Sequence, residues 1–409
     1  MKKTLSILLV LLMTLCTLVS CGSSGDSGST TGDNVIKVGV PGPYSGNSAS
    51  QGEALKAACE LAISEVNEEG IDIDGTKYAL EPVYIDTENS AEVAVSAYTK
   101  LCTSEECDII VGEASSSIAL AVMDVIAEYQ IPTIFAIPSS DELGVKVAEN
   151  PDKYGTIWMI DPASGKMQDG ILTFFEDATK SGLLPNEKKE IAIVSEDSDW
   201  GKSVRAAWVD KCDQIGWKIT VDEVASTDDT DFYSILQKIK DADPDLIKIE
   251  FTSVTSGASI TKQLDELGMG DYVVFGGYYM KQAEFPDLVG SLANYHLNIR
   301  ESFSADYGKK MAEQYPNVSP TTAVWQYDAI HVAAEAYARA ASIDKEAVNT
   351  AISETDYEGA LMRTVFDPKD HFTISGVGYK FYGAAQYFDN SWTTIYPYET
   401  AEGEFQLKK

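Results

Sequence analysis

Histidine is nearly absent: three residues in 409, and none of them stands in a metal-ligand or triad motif. The chain also lacks a GxSxG elbow, a Walker loop and a strand–GxGxxG–helix fingerprint, so nothing in it announces nucleophilic, nucleotide or dinucleotide chemistry. Serine clusters without a nearby base do not make nucleophiles. Positive charge is scarce, with 31 Lys and Arg against 64 Asp and Glu and a net charge of −33. Such a surface repels nucleic acid and anionic membranes, which removes nucleic acid from the partners. No cysteine pair has CxxC or zinc-ligand spacing, so neither a metal nor another cofactor is expected. After the first twenty residues there is no second long apolar run.

That first run carries the strongest local signal. Met1-Lys2-Lys3 is followed by the apolar stretch Leu5 to Leu18 and then by Leu18-Val19-Ser20-Cys21. The run is short for a bilayer span and reads as a secretion signal over 1–20. A small-residue cleavage site ending in cysteine resembles the bacterial lipoprotein box, which implies lipid attachment at Cys21 and an extracytoplasmic, membrane-tethered location. Residues 21–34 are rich in Gly, Ser, Thr and Asp, a flexible coil reaching roughly 20 Å. Of the other cysteines, Cys16 leaves with the leader. Cys102 and Cys107 flank a short acidic turn and are the pair best spaced for a disulfide in an oxidising compartment.

From Val35 onward, strand and helix patterns alternate. Val35–Val40, Tyr78–Ile85, Asp108–Val111 and Pro132–Ile137 read as strands, with helices over 51–66, 91–101 and 117–129 between them. A second block of the same kind starts at Ile191 and continues through strands near 218–224, 245–251 and 272–275. The expectation is an α/β protein of two doubly wound parallel-sheet lobes. Thr156–Asp161 is the crossing between them. Beyond Met362, short stretches at 379–382, 385–388 and 392–396 look like antiparallel strands added to a lobe edge. The lobes are assigned as 35–160 plus 300–360 and 161–299 plus 361–407.

In open α/β sheets, ligands sit beyond the carboxyl ends of the strands. The loops in those places carry the candidate residues. Ser115 and Ser116 follow one strand, and Ser139 and Ser140 follow the next; a serine there caps the helix or clamps a carboxylate, and since capping needs only one serine, Ser116 is the first candidate for the ligand. Tyr44 and Gln51 lie after the first strand, Trp200 after the strand at 191–194, Ser253 after 245–251, and Tyr278 and Tyr279 after 272–275. The aromatics suit a planar or apolar ligand or simple lobe-edge packing. Asp161, at the crossing, is placed to meet a ligand amine or to cap the helix starting near Lys166.

Read in order, Val38-Gly-Val-Pro-Gly-Pro-Tyr44-Ser45-Gly46, Gly52, Ala62 to Gly70, Asp86, Ile110-Val-Gly112-Glu-Ala-Ser-Ser116, Ile191 to Gly201, and Gln326-Tyr327-Asp328-Ala329 resemble the branched-chain amino-acid binding proteins of bacterial ABC importers. The resemblance implies a type I periplasmic-binding-protein fold with a three-strand hinge, closure over a small ligand, ABC permease subunits as partners, a monomer, and no catalysis. It places the ligand carboxylate on Ser116 and near Ser139 and Ser140. Ser253 falls near a family aromatic position. In that family an acid just after the strand here ending at Phe275 takes the ligand ammonium. This chain has Gly276-Gly277-Tyr278-Tyr279 there, which leaves Asp161, Glu250 or Asp328 as substitutes, or an aromatic or other non-amino carboxylate as ligand. A sensor that reports ligand to a membrane receptor or kinase shares the fold and is the alternative; a cell-surface hydrolase is a remote third.

Overall fold

A computed structural model describes residues 34–408 apart from 283, 302, 377, 381 and 390. The leader, Cys21 and all but the last residue of the tether lie outside the described residues.

Two sheets organise the body. The first has six strands in the order β2-β3-β1-β4-β5-β6: β1 (Val35–Gly42), β2 (Ile71–Ile73), β3 (Thr76–Asp86), β4 (Ile109–Gly112), β5 (Thr133–Phe135) and β6 (Ile157–Met159). All neighbours pair in parallel except the β2–β3 hairpin. The second has seven, in the order β15-β14-β11-β10-β9-β7-β8: β7 (Glu190–Glu196), β8 (Lys218–Ala225), β9 (Leu246–Glu250), β10 (Val273–Phe275), β11 (Leu297–Arg300), β14 (Gly383–Phe388) and β15 (Ser391–Tyr396). Strands β14 and β15 are antiparallel additions to β11. The small hairpin β12 (Tyr357–Gly359) and β13 (Met362–Thr364) stands apart.

The central strands are buried end to end, as parallel strands covered by helices on both faces must be: every residue of β4 and β9 is buried. Helix α1 (Ala49–Glu69) turns Ala54, Leu55, Ala58, Leu61 and Ala62 inward at helical spacing and packs on the long helix Pro320–Ala340. That long helix belongs with the first sheet, where the Gln326 amide donates to the Val111 carbonyl at 3.0 Å. Helices α2 (Ala91–Thr103) and α3 (Ser116–Tyr129) pack together on the opposite side.

The chain leaves the first sheet after β6, returns after β11, and reaches the second sheet again at β14. One boundary differs from expectation. Residues 366–373, assigned by sequence to the second lobe, lie along β6: Met159 bridges Phe372, and the Thr373 N–H donates to the Met159 carbonyl at 3.1 Å. Strand β6 is the free edge of its sheet, and this segment satisfies it. Within the expected strand at 379–382, Lys380 forms a bridge with Ser375, and residue 381 lies outside the described residues.

In each sheet the strand order reverses beside the first strand. Strand β1 lies between β3 and β4, and β7 between β8 and β9. The loops that follow β1, β4, β7 and β9 therefore mark the two crevices where an open α/β sheet binds ligands. All four loops open onto one cavity.

Candidate functional site

The cavity between the sheets has a volume of about 290 Å³, a size for a small molecule. Its walls touch directly. The Asp199 N–H donates to Ser117 Oγ at 3.4 Å, and the Asp141 N–H to Ser203 Oγ at 3.2 Å. The two lobes thus meet beside the space.

The wall from the first sheet is the start of α3. Ser115 is its N-cap residue, yet no side chain caps the helix, and no acidic residue occupies its first turn. Ser116 is buried, and its Oγ accepts the N–H groups of Ser139 and Ser140 at 3.0 and 3.1 Å, fastening the loop after β5 to the helix start. Residues 114–118 line the cavity. Uncapped N–H groups at the positive end of a 14-residue helix form an anion-accepting surface.

The wall from the second sheet is held by buried charge. Glu196 accepts from Ser198 Oγ at 2.6 Å and from the N–H and hydroxyl of Thr252 at 2.7 and 2.8 Å, so it ties the loops after β7 and β9 together. Ser253 Oγ caps the next helix by accepting the Ser256 N–H at 3.3 Å. Lys248 and Glu250 project from the same face of β9 and form an ion pair, with Lys248 also donating to the Gly276 carbonyl at 3.1 Å. Burial pushes the Lys248 ammonium down and the Glu250 carboxyl up, and their attraction opposes both shifts. Glu250 Oε1 accepts the Tyr278 N–H at 3.2 Å. A side chain at Gly277 would place its Cβ 2.4 Å from that same oxygen, and one at Gly276 would meet Met280 Sδ at 2.1 Å. The position after β10 is therefore closed to an acid. Tyr278 instead turns its ring toward Trp200, edge to face at 6.4 Å.

The floor is made where the chain crosses. Asp161, after β6, accepts a hydrogen bond from the Tyr382 hydroxyl. Glu301, after β11, is bonded through Oε1 to Lys281, and this pair is 4 % and 5 % exposed. Glu301 Oε2 and the Tyr278 hydroxyl have no hydrogen-bond partner among the described residues. Burial pushes the Asp161 carboxyl up, reinforced by Glu301 and opposed by the Tyr382 hydrogen bond and by Lys281 and Lys380.

This architecture agrees with comparison across known proteins. The family model described as periplasmic binding protein matches residues 35–379. The chain belongs to the periplasmic binding protein family. Members of that family are solute-binding proteins, not enzymes, and the fold is type I. The Leu/Ile/Val-binding protein homolog 3 of Brucella melitensis is 22% identical over 346 residues, covering 83% of this chain and 86% of that one. BraC3, a Leu/Ile/Val-binding protein of Rhizobium johnstonii, is 24% identical over 61% of this chain and 63% of its own length. Among solved structures, the isoleucine complex of LivJ from Streptococcus pneumoniae superposes with a TM-score of 0.72 at 23% identity, covering 88% of this chain and 98% of that one. A benzoate complex of a solute-binding protein from R. palustris gives 0.75 at 18%, covering 88% and 96%.

Within this periplasmic binding protein, Gln51, Ser115, Ser116, Ser139, Asp161, Trp200, Ser253 and Tyr278 all line the cavity. Tyr44 and Ser140 do not. The Tyr44 hydroxyl donates to the Val40 carbonyl at 2.9 Å and its ring packs edge-on against Tyr84, so it braces the first strand. Ser140 Oγ pairs with Ser203 Oγ at 3.2 Å in the lobe contact outside the cavity. Asp328 is also removed from the substitute acids: it accepts the N–H groups of Ala360 and Leu361 at 2.7 and 2.9 Å behind the floor. The expected Cys102–Cys107 disulfide is not formed; both are free thiols. Cys107 Sγ faces the backbone of Gly39 in β1, while Cys102 sits half-buried in the last turn of α2. Burial pushes the thiols up to about 12 and about 11. No group of three or more metal-ligating side chains assembles among the described residues.

Lys281, Glu301, Gln168 and Asn298 line the cavity without a sequence signal that singled them out. Lys248 was legible in principle: a lysine and a glutamate two apart in the apolar strand Leu-Ile-Lys-Ile-Glu must share one buried face and pair.

The arrangement at Ser116 sets an expected result. Ser116→Ala removes one acceptor from two buried N–H groups, and chemical denaturation should report a loss of about 2 kcal/mol. Ser116→Thr, which keeps the oxygen, should retain most of that stability.

Proposed function

We propose that this protein is the extracytoplasmic, lipid-anchored solute receptor of an ABC importer, capturing an amino acid or similar small carboxylate between its lobes. The observation that carries the reading is the single cavity onto which the switch-point loops of both sheets open, with an uncapped helix start on one side. The carboxylate is held by the N–H groups at the start of α3 with the hydroxyls of Ser115, Ser116 and Ser139. Trp200 and Tyr278 cover the rest of the solute from the second lobe. Closure follows from binding, because only the closed state makes both sets of contacts. The closed form then docks on permease subunits as a monomer, with Cys21 lipid and the Gly/Ser tether keeping it near the membrane. Named ligands of relatives fit this class: isoleucine for the LivJ structure and benzoate for the R. palustris protein.

The test is a thermal-shift screen against amino acids, aromatic acids, amides and small carboxylates. A true ligand at 100-fold above its dissociation constant stabilises the fold by about 2.7 kcal/mol. Silence across the panel would remove this solute class.

A further inference from the structure

The cavity is lined by six acidic side chains and two lysines. Both lysines are spent. Lys248 is bound to Glu250 and the Gly276 carbonyl, and Lys281 to Glu301. No lining cation is left to neutralise an added anion, so a ligand carboxylate depends on the N–H groups and hydroxyls at the start of α3. On the opposite side, a carboxylate oxygen is left over. Glu301 is 4 % exposed, and its Oε2 has no partner among the described residues. A buried carboxylate oxygen without a donor is costly. Asp161 faces the same space, and so does the unpartnered hydroxyl of Tyr278; the rings of Tyr278 and Tyr382 lie 5.6 and 5.9 Å from the Lys281 ammonium. Meanwhile Gly276 and Gly277 leave no room for an acid after β10.

We propose that the ligand carries a protonated nitrogen and that Glu301 Oε2, with Asp161 beside it, receives this nitrogen at the floor where the chain crosses between lobes. The inference rests on the interlobe cavity being the solute site, and it narrows the solute to zwitterionic amino compounds, excluding carboxylates with neutral tails. Because Asp161 and Glu301 follow β6 and β11, on two of the crossings themselves, the cation also bridges the segments that must move when the lobes close. Glu301 is thereby a specificity-determining residue.

The experiment uses calorimetric titration of the protein with amino acids, each paired with its 2-hydroxy acid, and with benzoate. An amino acid is expected to bind at least about 100-fold more tightly than its hydroxy partner, since a site built to bond a group rejects the analogue that lacks it. Glu301→Gln should weaken that amino acid by at least about 30-fold. Because this variant leaves Lys281 without its partner, the double variant Lys281→Met/Glu301→Gln is measured beside it, with the Tm of each unliganded protein. Loss of affinity in a double variant whose Tm matches the parent assigns the effect to the missing carboxylate. Equal binding of a 2-hydroxy acid or benzoate, or full affinity in Glu301→Gln, overturns the inference while leaving the cavity as the solute site. If nothing in the panel binds, the solute-receptor reading itself fails, and this inference with it.

Discussion

Replacing Lys248 by methionine is expected to lower the unfolding free energy by about 3–5 kcal/mol. Strand β9 lies between β10 and β7 in the middle of the second sheet, and both Lys248 and Glu250 are 4 % exposed at the side chain. The ammonium donates to Glu250 and to Gly276, and it lies 5.3 Å from the centre of the Trp208 ring. Methionine fills a similar volume but leaves Glu250 as an unpaired buried acid, stranded against Gly277 with only the Tyr278 N–H to meet it. The penalty comes from that orphan and not from the attraction itself, because desolvation of an ion pair offsets most of its Coulomb energy. The double variant Lys248→Met/Glu250→Gln should therefore recover most of the loss. Urea midpoints of the three proteins decide the matter. A single-variant cost under about 1 kcal/mol would mean that Glu250 simply takes up a proton and needs no lysine.

The contrast between what the sequence announces and what it hides follows from the range of each interaction. Buried parallel strands such as Leu246–Glu250 and amphipathic helices such as α1 are periodic, so their kind and order are written locally. The same holds for Ser115 and Ser116, because the position of a loop after a strand fixes which cavity it faces. Tyr44 obeys the same positional rule and still misleads. Its ring swings back onto Tyr84, a contact 40 residues away that no local pattern records. Glu301 shows the opposite failure. It stands at the end of a short strand with no motif around it, and it matters because Lys281 arrives from the turn after β10 and Asp161 from the crossing after β6. The segment 366–373 shows a related limit: nothing in Phe-Asp-Pro-Lys-Asp-His-Phe-Thr is periodic, and which sheet edge it meets is decided only in the folded chain. Single-residue chemistry at a hinge is tertiary by nature, whereas the lobes that carry the hinge are not.

The second large effect belongs to Glu113 and is a matter of pH. This residue ends the turn after β4 with a φ of +76° and is completely buried. Its Oε1 accepts the N–H groups of Ala114 and Ser115 at 2.9 and 3.3 Å, while Oε2 has no partner among the described residues. No cation faces it; its neighbours are Thr87 and the phenols of Tyr44 and Tyr98. Burial therefore pushes its carboxyl up to about 7, from an ordinary value of 4.5. A group whose folded pKa is raised contributes stability that is complete below the unfolded value and lost as pH climbs through the folded one. For Glu113 that window runs from 4.5 to about 7, and a shift of this size corresponds to about 3 kcal/mol. Glu113→Gln keeps an oxygen for the two N–H groups and cannot ionise. Its stability in urea should match the parent near pH 4 and exceed it by about 3 kcal/mol at pH 8. A difference between variant and parent that is the same at both pH values would show that Glu113 titrates normally. The consequence reaches the ligand, because Ala114 and Ser115, whose N–H groups Glu113 holds, lead directly into the uncapped start of α3 that lines the cavity. An ionised Glu113 behind them competes with a bound carboxylate for the same dipoles, so the variant should also hold its solute several-fold more tightly at pH 8 and no more tightly at pH 5.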